Sequence, residues 1–207
     1  MPYKNGYQST DFRCNVGSEE SGLQTKTYTI KAGDTVGFAT DFGAQIQHPG
    51  PLQVYLSRAP GNVSYYDGSG EWFKIFELGP SAFTSDGVEW GVTGLNQFTF
   101  EIPQETPAGQ YLLRIEHIGL HGASVYGVAE FYFNCAQLKI LSDSTATPGP
   151  TLKAPSIFRQ TASLGLFRRL RAPSGLRHPL SLPPLLYTLL RHRFLQLPPP
   201  HLQAFRL

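Results

Sequence analysis

Between Gln24 and Ile140 apolar and polar residues alternate with a period of two, in short runs closed by turn-forming residues. That period fits a strand and not a helix, because successive strand side chains point to opposite faces of a sheet. Thr27-Tyr28-Thr29-Ile30 alternates, and Lys31-Ala32-Gly33-Asp34 reads as a turn before Val36 and Phe38 restart the pattern. Leu52, Val54 and Leu56 share one strand face. Phe98, Phe100 and Ile102 share another, ended by Pro103. Tyr111, Leu113 and Ile115 follow the Pro107-Ala108-Gly109 turn, and Phe131 and Phe133 open a last strand that continues to Leu138 and Ile140. The pattern predicts an all-β fold, an antiparallel β-sandwich of immunoglobulin or fibronectin-like type. The connections over residues 39–47 and 60–71 are long and Gly-rich, with Tyr65, Tyr66 and the adjoining Trp72 as their aromatics. Long loops on a rigid sandwich are where function concentrates.

The charge divides the chain in two. Residues 1–150 hold eight of the 17 basic groups and all 15 acidic ones, a net of −7, whereas residues 151–207 hold nine basic groups and no acidic one. The overall +2 therefore describes neither part. The acidic part has no basic stretch with which to meet phosphates, so a nucleic-acid partner is not expected. With no apolar run of 18 residues, neither is a membrane span. From about residue 141 the composition changes: TATPGPTLKAPS reads as a linker, and the stretch from Ser163 is dominated by Leu, Pro, Arg and His. Its prolines forbid a long helix and it lacks strand alternation, so residues 151–207 are expected to be a disordered basic tail. An out-of-frame or intron-derived segment explains that composition better than a membrane-binding tail does. Cys14 and Cys135 lie 121 positions apart. On their own they read equally as a disulfide of a secreted protein or as two buried thiols of a cytosolic one. MPYKNGYQST has no apolar centre of the kind a secretory signal needs.

Three places carry possible chemistry. In Gln47-His48-Pro49-Gly50-Pro51 a histidine stands between a loop and a strand with its backbone fixed by Pro and Gly. It reads as a metal ligand or as a solvated loop histidine. In Glu116-His117-Ile118-Gly119-Leu120-His121 two histidines are four apart; on a continuous strand they would stand about 13 Å from each other, too far for one ion. At most one of them belongs to a site, and His117 suits a structural role better. In Ala129-Glu130-Phe131-Tyr132-Phe133 alternation sets Glu130 and Tyr132 on one face, either as a polar cluster or as part of an aromatic core strand. Asn62-Val63-Ser64 is a glycosylation acceptor pattern. No Ser/His/Asp ordering, P-loop, dinucleotide fingerprint or zinc-type cysteine cluster is present.

Taken in order, several of these segments resemble one family. They are Arg13-Cys14-Asn15, Ala32-Gly33-Asp34, His48-Pro49-Gly50-Pro51 with Val54-Tyr55, and Trp72-Phe73-Lys74, followed by Pro107–Arg114, Glu116-His117-Ile118 with Leu120-His121, and Glu130-Phe131-Tyr132 with Cys135-Ala136-Gln137. The chain is similar, from about Asp11 to Ile140, to the lytic polysaccharide monooxygenases of auxiliary activity family nine. The resemblance implies a β-sandwich with one copper ion on a flat face, held by an N-terminal histidine through its amine and ring. It makes His48 the second copper-binding histidine and Tyr132 the axial tyrosine. His121 becomes the residue that orients dioxygen, and Glu130 stands where the family commonly has Gln. It also implies a Cys14–Cys135 disulfide. The implied reaction is oxidative cleavage of cellulose or a related β-1,4-glucan at C1 or C4, using dioxygen or peroxide and an external electron donor, by a secreted monomer. Residue 1 is Met and no histidine precedes His48. The expectation is therefore a catalytic domain over residues 1–150 that lacks the signal peptide, the N-terminal histidine and the first strand, with impaired activity. The rival expectations are a non-catalytic carbohydrate-binding sandwich and an unstable translation product.

Overall fold

The computed structural model describes residues 9–154 and the backbone of residues 203–206. Eleven strands are found among them: β1 (Thr27–Lys31), β2 (Thr35–Ala39), β3 (Leu52–Arg58), β4 (Glu71–Leu78), β5 (Pro80–Thr84), β6 (Gly87–Trp90), β7 (Gln97–Glu101), β8 (Gly109–Gly119), β9 (Glu130–Leu141), β10 (Leu152–Lys153) and β11 (Gln203–Arg206). They form a six-stranded sheet in the order β1-β9-β8-β3-β4-β10, a three-stranded sheet β11-β2-β7, and the hairpin β5-β6. The remaining stretch of the expected tail, residues 155–202, lies outside the described residues.

The two larger sheets face each other across one core. Leu52, Val54, Leu56, Leu113, Ile115, Leu138 and Ile140 from the large sheet meet Val36, Phe38, Phe98 and Phe100 from the small one. This is the apolar half of each alternating run, so the period of two translates directly into a sandwich. Most pairs are antiparallel, with one departure from the sequence reading in the large sheet. β1 and β2 do not pair with each other, because the Lys31-Ala32-Gly33-Asp34 turn is a corner between the sheets. β1 instead runs parallel to β9, from Thr27↔Gln137 to Lys31↔Leu141. The corner is fixed by Gly33 at φ +90° and by the Asp34 carboxylate, which accepts from the Lys31 N–H at 2.7 Å.

The outer face of the large sheet is covered as well. Cys14, Tyr55, Val63, Trp72, Leu112 and Ala154 make a second apolar cluster there. Trp72, read from sequence as a loop aromatic, lies in β4 and is 1% exposed. Its indole N–H donates to the Gly68 carbonyl at 2.9 Å. The chain before β1 is held down by Phe12, whose ring lies 4.7 Å from Phe133 and 5.2 Å from Phe131, and by a Cys14–Cys135 disulfide with a Cα–Cα distance of 5.1 Å. Beneath it Arg114 and Glu116 form a fully buried ion pair, Nη2 to Oε2 2.6 Å. Asn62 is exposed, and its Oδ1 accepts the Ser64 N–H at 2.9 Å, capping a short 3₁₀ turn. No helix among the described residues is long and apolar enough to cross a membrane.

Candidate metal centre

One end of the large sheet gathers the candidate residues. Antiparallel pairing sets His117 opposite Tyr132 and Gly119 opposite Glu130 on β8 and β9, and Leu52 of β3 opposite His117. The segment before β3 is fastened to the end of β8: Leu120 N–H donates to the Pro49 carbonyl at 2.7 Å, and Ile118 N–H to Pro51 at 3.0 Å. Gly50 makes this approach possible. It sits at φ +146°, and a Cβ there would lie 1.8 Å from the Ile118 carbonyl oxygen, so no other residue fits. His48, two residues earlier, is thereby fixed against the β8–β9 edge.

β8 ends at Gly119, so His121 is not on the strand at all. The turn that follows swings it back over the sheet end, where its ring stacks on His48 with centroids 4.2 Å apart. His48 also stacks on Tyr132 at 5.6 Å. Glu130 stands between the two histidines. Its Oε2 is 3.8 Å from His48 Nε2 and its Oε1 is 3.5 Å from His121 Nε2, and it accepts a short hydrogen bond from the Tyr132 hydroxyl. One donor atom each from His48, His121 and Glu130 lies within 4.8 Å of the others. The cluster is open to solvent, with the two histidine side chains 44% and 39% exposed. Tyr126, on the loop between β8 and β9, is 77% exposed.

The electrostatics follow from these contacts. The Tyr132 hydroxyl, helped by His121 and His48, holds the Glu130 carboxyl below its ordinary range. Tyr132 is pushed up to about 12, by partial burial first and by the Glu130 carboxylate second, so its phenol keeps its proton at neutral pH. Sequence alternation correctly set Glu130 and Tyr132 on one face, but Tyr132 is 39% exposed at the sheet end and is not a core residue. Gly119 went unremarked in the sequence. A Cβ there would lie in ordinary van der Waals contact with His121, His48 and Glu130 at 3.4–3.5 Å, so Gly119 sits beside all three residues.

His117 is the other histidine of the pair and lies below the cluster, 6% exposed, with Nδ1 3.1 Å from the Pro51 carbonyl. Burial holds it below its ordinary value of 6.5, against the opposing pull of that hydrogen bond. The unfolded chain therefore takes up this proton first as the pH falls below about 6.5, and stability declines until the folded pKa is reached. His117→Gln is expected to flatten that part of the curve of urea midpoint against pH. An unchanged slope would mean that other groups carry it.

The β-sandwich thus carries a histidine, carboxylate and phenol cluster on an open strand end, and His48, His121 and Glu130 are spaced so that they could hold a metal ion. The family model of Auxiliary Activity family 9 (formerly GH61) matches residues 1–172, and the chain belongs to that family. It is 46% identical over 166 residues to AA9 family lytic polysaccharide monooxygenase G of Aspergillus tamarii, covering 75% of this chain and 50% of that one. Over 154 residues it is 46% identical to AA9 family lytic polysaccharide monooxygenase A of Aspergillus fumigatus, covering 72% and 52%. The chain thus spans about half the length of these curated relatives. Among solved structures it is similar to HiLPMO9B, with TM-score 0.64 and 30% identity over 72% of this chain and 67% of that one. It is also similar to a cellulose-active polysaccharide monooxygenase from M. thermophila, with TM-score 0.59 and 30% identity over 72% and 68%.

Proposed function

We propose that this chain serves copper-dependent oxidative cleavage of cellulose or a related β-1,4-glucan, at C1, C4 or both, in a secreted monomer supplied with electrons by an external donor. The observation that carries the reading is the convergence of His48, His121, Glu130 and Tyr132 at one open strand end. The donors suit the ion, because an imidazole nitrogen from His48 and a phenol oxygen from Tyr132 are of the kinds that copper(II) takes. When bound and reduced, copper supplies the one-electron chemistry by which dioxygen or peroxide oxidises a sugar C–H bond.

The chain's own residues bind, orient and present. His48 would give copper an imidazole nitrogen, and the protonated Tyr132 phenol would offer a weak oxygen donor. His121 and Glu130 face the place where the oxygen co-substrate enters, with Glu130 able to accept a hydrogen bond there. The exposed cluster meets a polymer surface without drawing a chain into a cleft, and Tyr126, an exposed tyrosine on the β8–β9 loop, suits stacking on a sugar ring. The Cys14–Cys135 disulfide supports an oxidising, extracellular destination, where Asn62 is available for glycosylation.

A polypeptide that starts at Met1 brings no histidine ahead of His48. A form that begins with a free histidine, whose amine and ring add nitrogen donors, is expected to hold copper more tightly and turn over more, because copper(II) favours several nitrogen donors. The test is chelation followed by return of one equivalent of copper, on this chain and on a form extended to begin with a free histidine. Activity on cellulose should vanish on chelation, return with copper and be higher in the extended form. Activity that persists through chelation in both forms would contradict copper dependence, and no activity in either form with copper present would leave the carbohydrate-binding sandwich as the better account.

A further inference from the structure

We infer that Asn62 carries an N-linked glycan whose first sugar ring is seated on Tyr65, beside a polar cavity next to the Cys14–Cys135 disulfide. The inference rests on the extracellular destination in the proposed function and deepens it by giving that glycan a place to pack. In the covalent step a transferase of the secretory route joins Asn62 Nδ2 to C1 of an N-acetylglucosamine. The C1–O bond to the diphosphate of a lipid-linked oligosaccharide donor breaks, the lipid diphosphate leaves, and Nδ2 gives up one proton.

The first argument is local. Asn62-Val63-Ser64 has the acceptor pattern, and Asn62 caps the 3₁₀ turn Val63–Tyr65. The cap bond to the Ser64 N–H, at 2.9 Å, occupies only the amide oxygen. Nδ2, the atom that takes the sugar, has no partner among the described residues, and Asn62 is exposed. Tyr65 is the third residue of the turn, the position whose side chain reaches back to the cap residue in a capping box. Its own N–H closes the turn on the Asn62 carbonyl at 3.1 Å. The Tyr65 side chain is 75% exposed, and its hydroxyl has no partner among the described residues. Its ring thus offers a bare aromatic face, which the apolar face of a pyranose ring can cover.

The second argument is what Tyr65 borders. It lines a cavity of about 250 Å³ together with Ser18, Glu19, Ser21 and Thr25, from the segment before β1. The Ser21 and Thr25 hydroxyls donate to the Ser18 and Ser21 carbonyls at 3.2 and 2.9 Å, which leaves their oxygens as acceptors. The Ser18 hydroxyl has no partner among the described residues. No Lys, Arg or His lines the cavity, so it suits the hydroxyls of a neutral sugar and not an anion. A single ring contact of this kind is weak for a free sugar. A sugar tethered three residues away meets it at an effective concentration on the order of millimolar. Seated there, the sugar ties the segment before β1 to the Val63–Tyr65 turn.

The full chain, secreted from yeast behind a supplied signal sequence, should carry sugar on the peptide that contains Asn62. Trimming the glycan enzymatically to one N-acetylglucosamine isolates the ring in question. In that form nuclear Overhauser contacts are expected between the sugar ring protons and the Tyr65 ring, a readout that needs no variant. Its urea midpoint should lie above that of Asn62→Gln, and most of that gap should vanish when both are compared in a Tyr65→Ala background. An unoccupied Asn62 in secreted, folded protein would overturn the inference. So would a sugar with no contact to Tyr65, or an equal gap with and without that ring. Copper, reductant and cellulose enter none of these measurements, so a failure of oxidative cleavage counts against the proposed function and leaves this result standing.

Discussion

Glu116→Ala is expected to destabilise the sandwich by about 3–5 kcal/mol, because it strands a buried charge. Arg114 and Glu116 lie on the outer face of β8, both about 1% exposed. The Arg114 guanidinium gives Nη2 to Glu116 at 2.6 Å and to the Phe12 carbonyl at 3.2 Å, and Nε to the Arg13 carbonyl at 2.8 Å. It also lies 5.3 Å from the Phe12 ring centre and 4.9 Å from that of Phe133. The pair is thus a clamp that holds the segment leading to Cys14 onto the sheet. Removing the carboxylate leaves a cation that water cannot reach, whereas replacing both partners with apolar residues should cost less. Urea unfolding of the single and double variants measures the difference. A loss in Glu116→Ala no larger than the ~0–1 kcal/mol of an exposed pair would show that the site is hydrated.

Opening the Cys14–Cys135 disulfide should cost a similar amount. It closes a separation of 121 residues, and on the chain-entropy account such a closure removes about 4–5 kcal/mol of conformational freedom from the unfolded chain. The same bond ties the segment before β1 to β9, three residues from Tyr132. Cys14→Ser/Cys135→Ser is expected to lower the urea midpoint sharply, and reducing the unsubstituted protein should reproduce the shift. Equal midpoints with and without reductant would mean that the clamp at Arg114 suffices alone.

Both effects arise on the face of the large sheet that the sequence did not advertise. β2, β3 and β7 were legible because one side of each is purely apolar and buries against the opposite sheet. β4 escaped notice because Trp72 and Phe73 are both buried, one on each face, which erases the alternation. The β5–β6 hairpin has no buried residue to mark it. The parallel placement of β1 against β9 depends on which sheet each strand joins, a nonlocal choice that alternation does not encode.

At the site, His48, Glu130 and Tyr132 were found through motif resemblance, and alternation independently paired the last two. The strand-spacing argument separated His117 from His121 on the premise of one continuous strand, which the structure does not keep. β8 stops at Gly119, which frees His121 to fold back while His117 stays buried against Pro51. The Pro and Gly after His48 were read as fixing its backbone, but the reason position 50 must be glycine was not legible, because the Ile118 carbonyl oxygen approaches it only in the folded chain.

The most direct test of the central claim is the product released from cellulose with copper, a reductant and isotopically labelled dioxygen. The form beginning with a free histidine should release cello-oligosaccharides oxidised at C1 or C4 that carry the label, the chain from Met1 should release fewer, and His48→Ala should release none. Unoxidised oligosaccharides alone, or labelled product undiminished in His48→Ala, would contradict an oxidative reaction centred on this site.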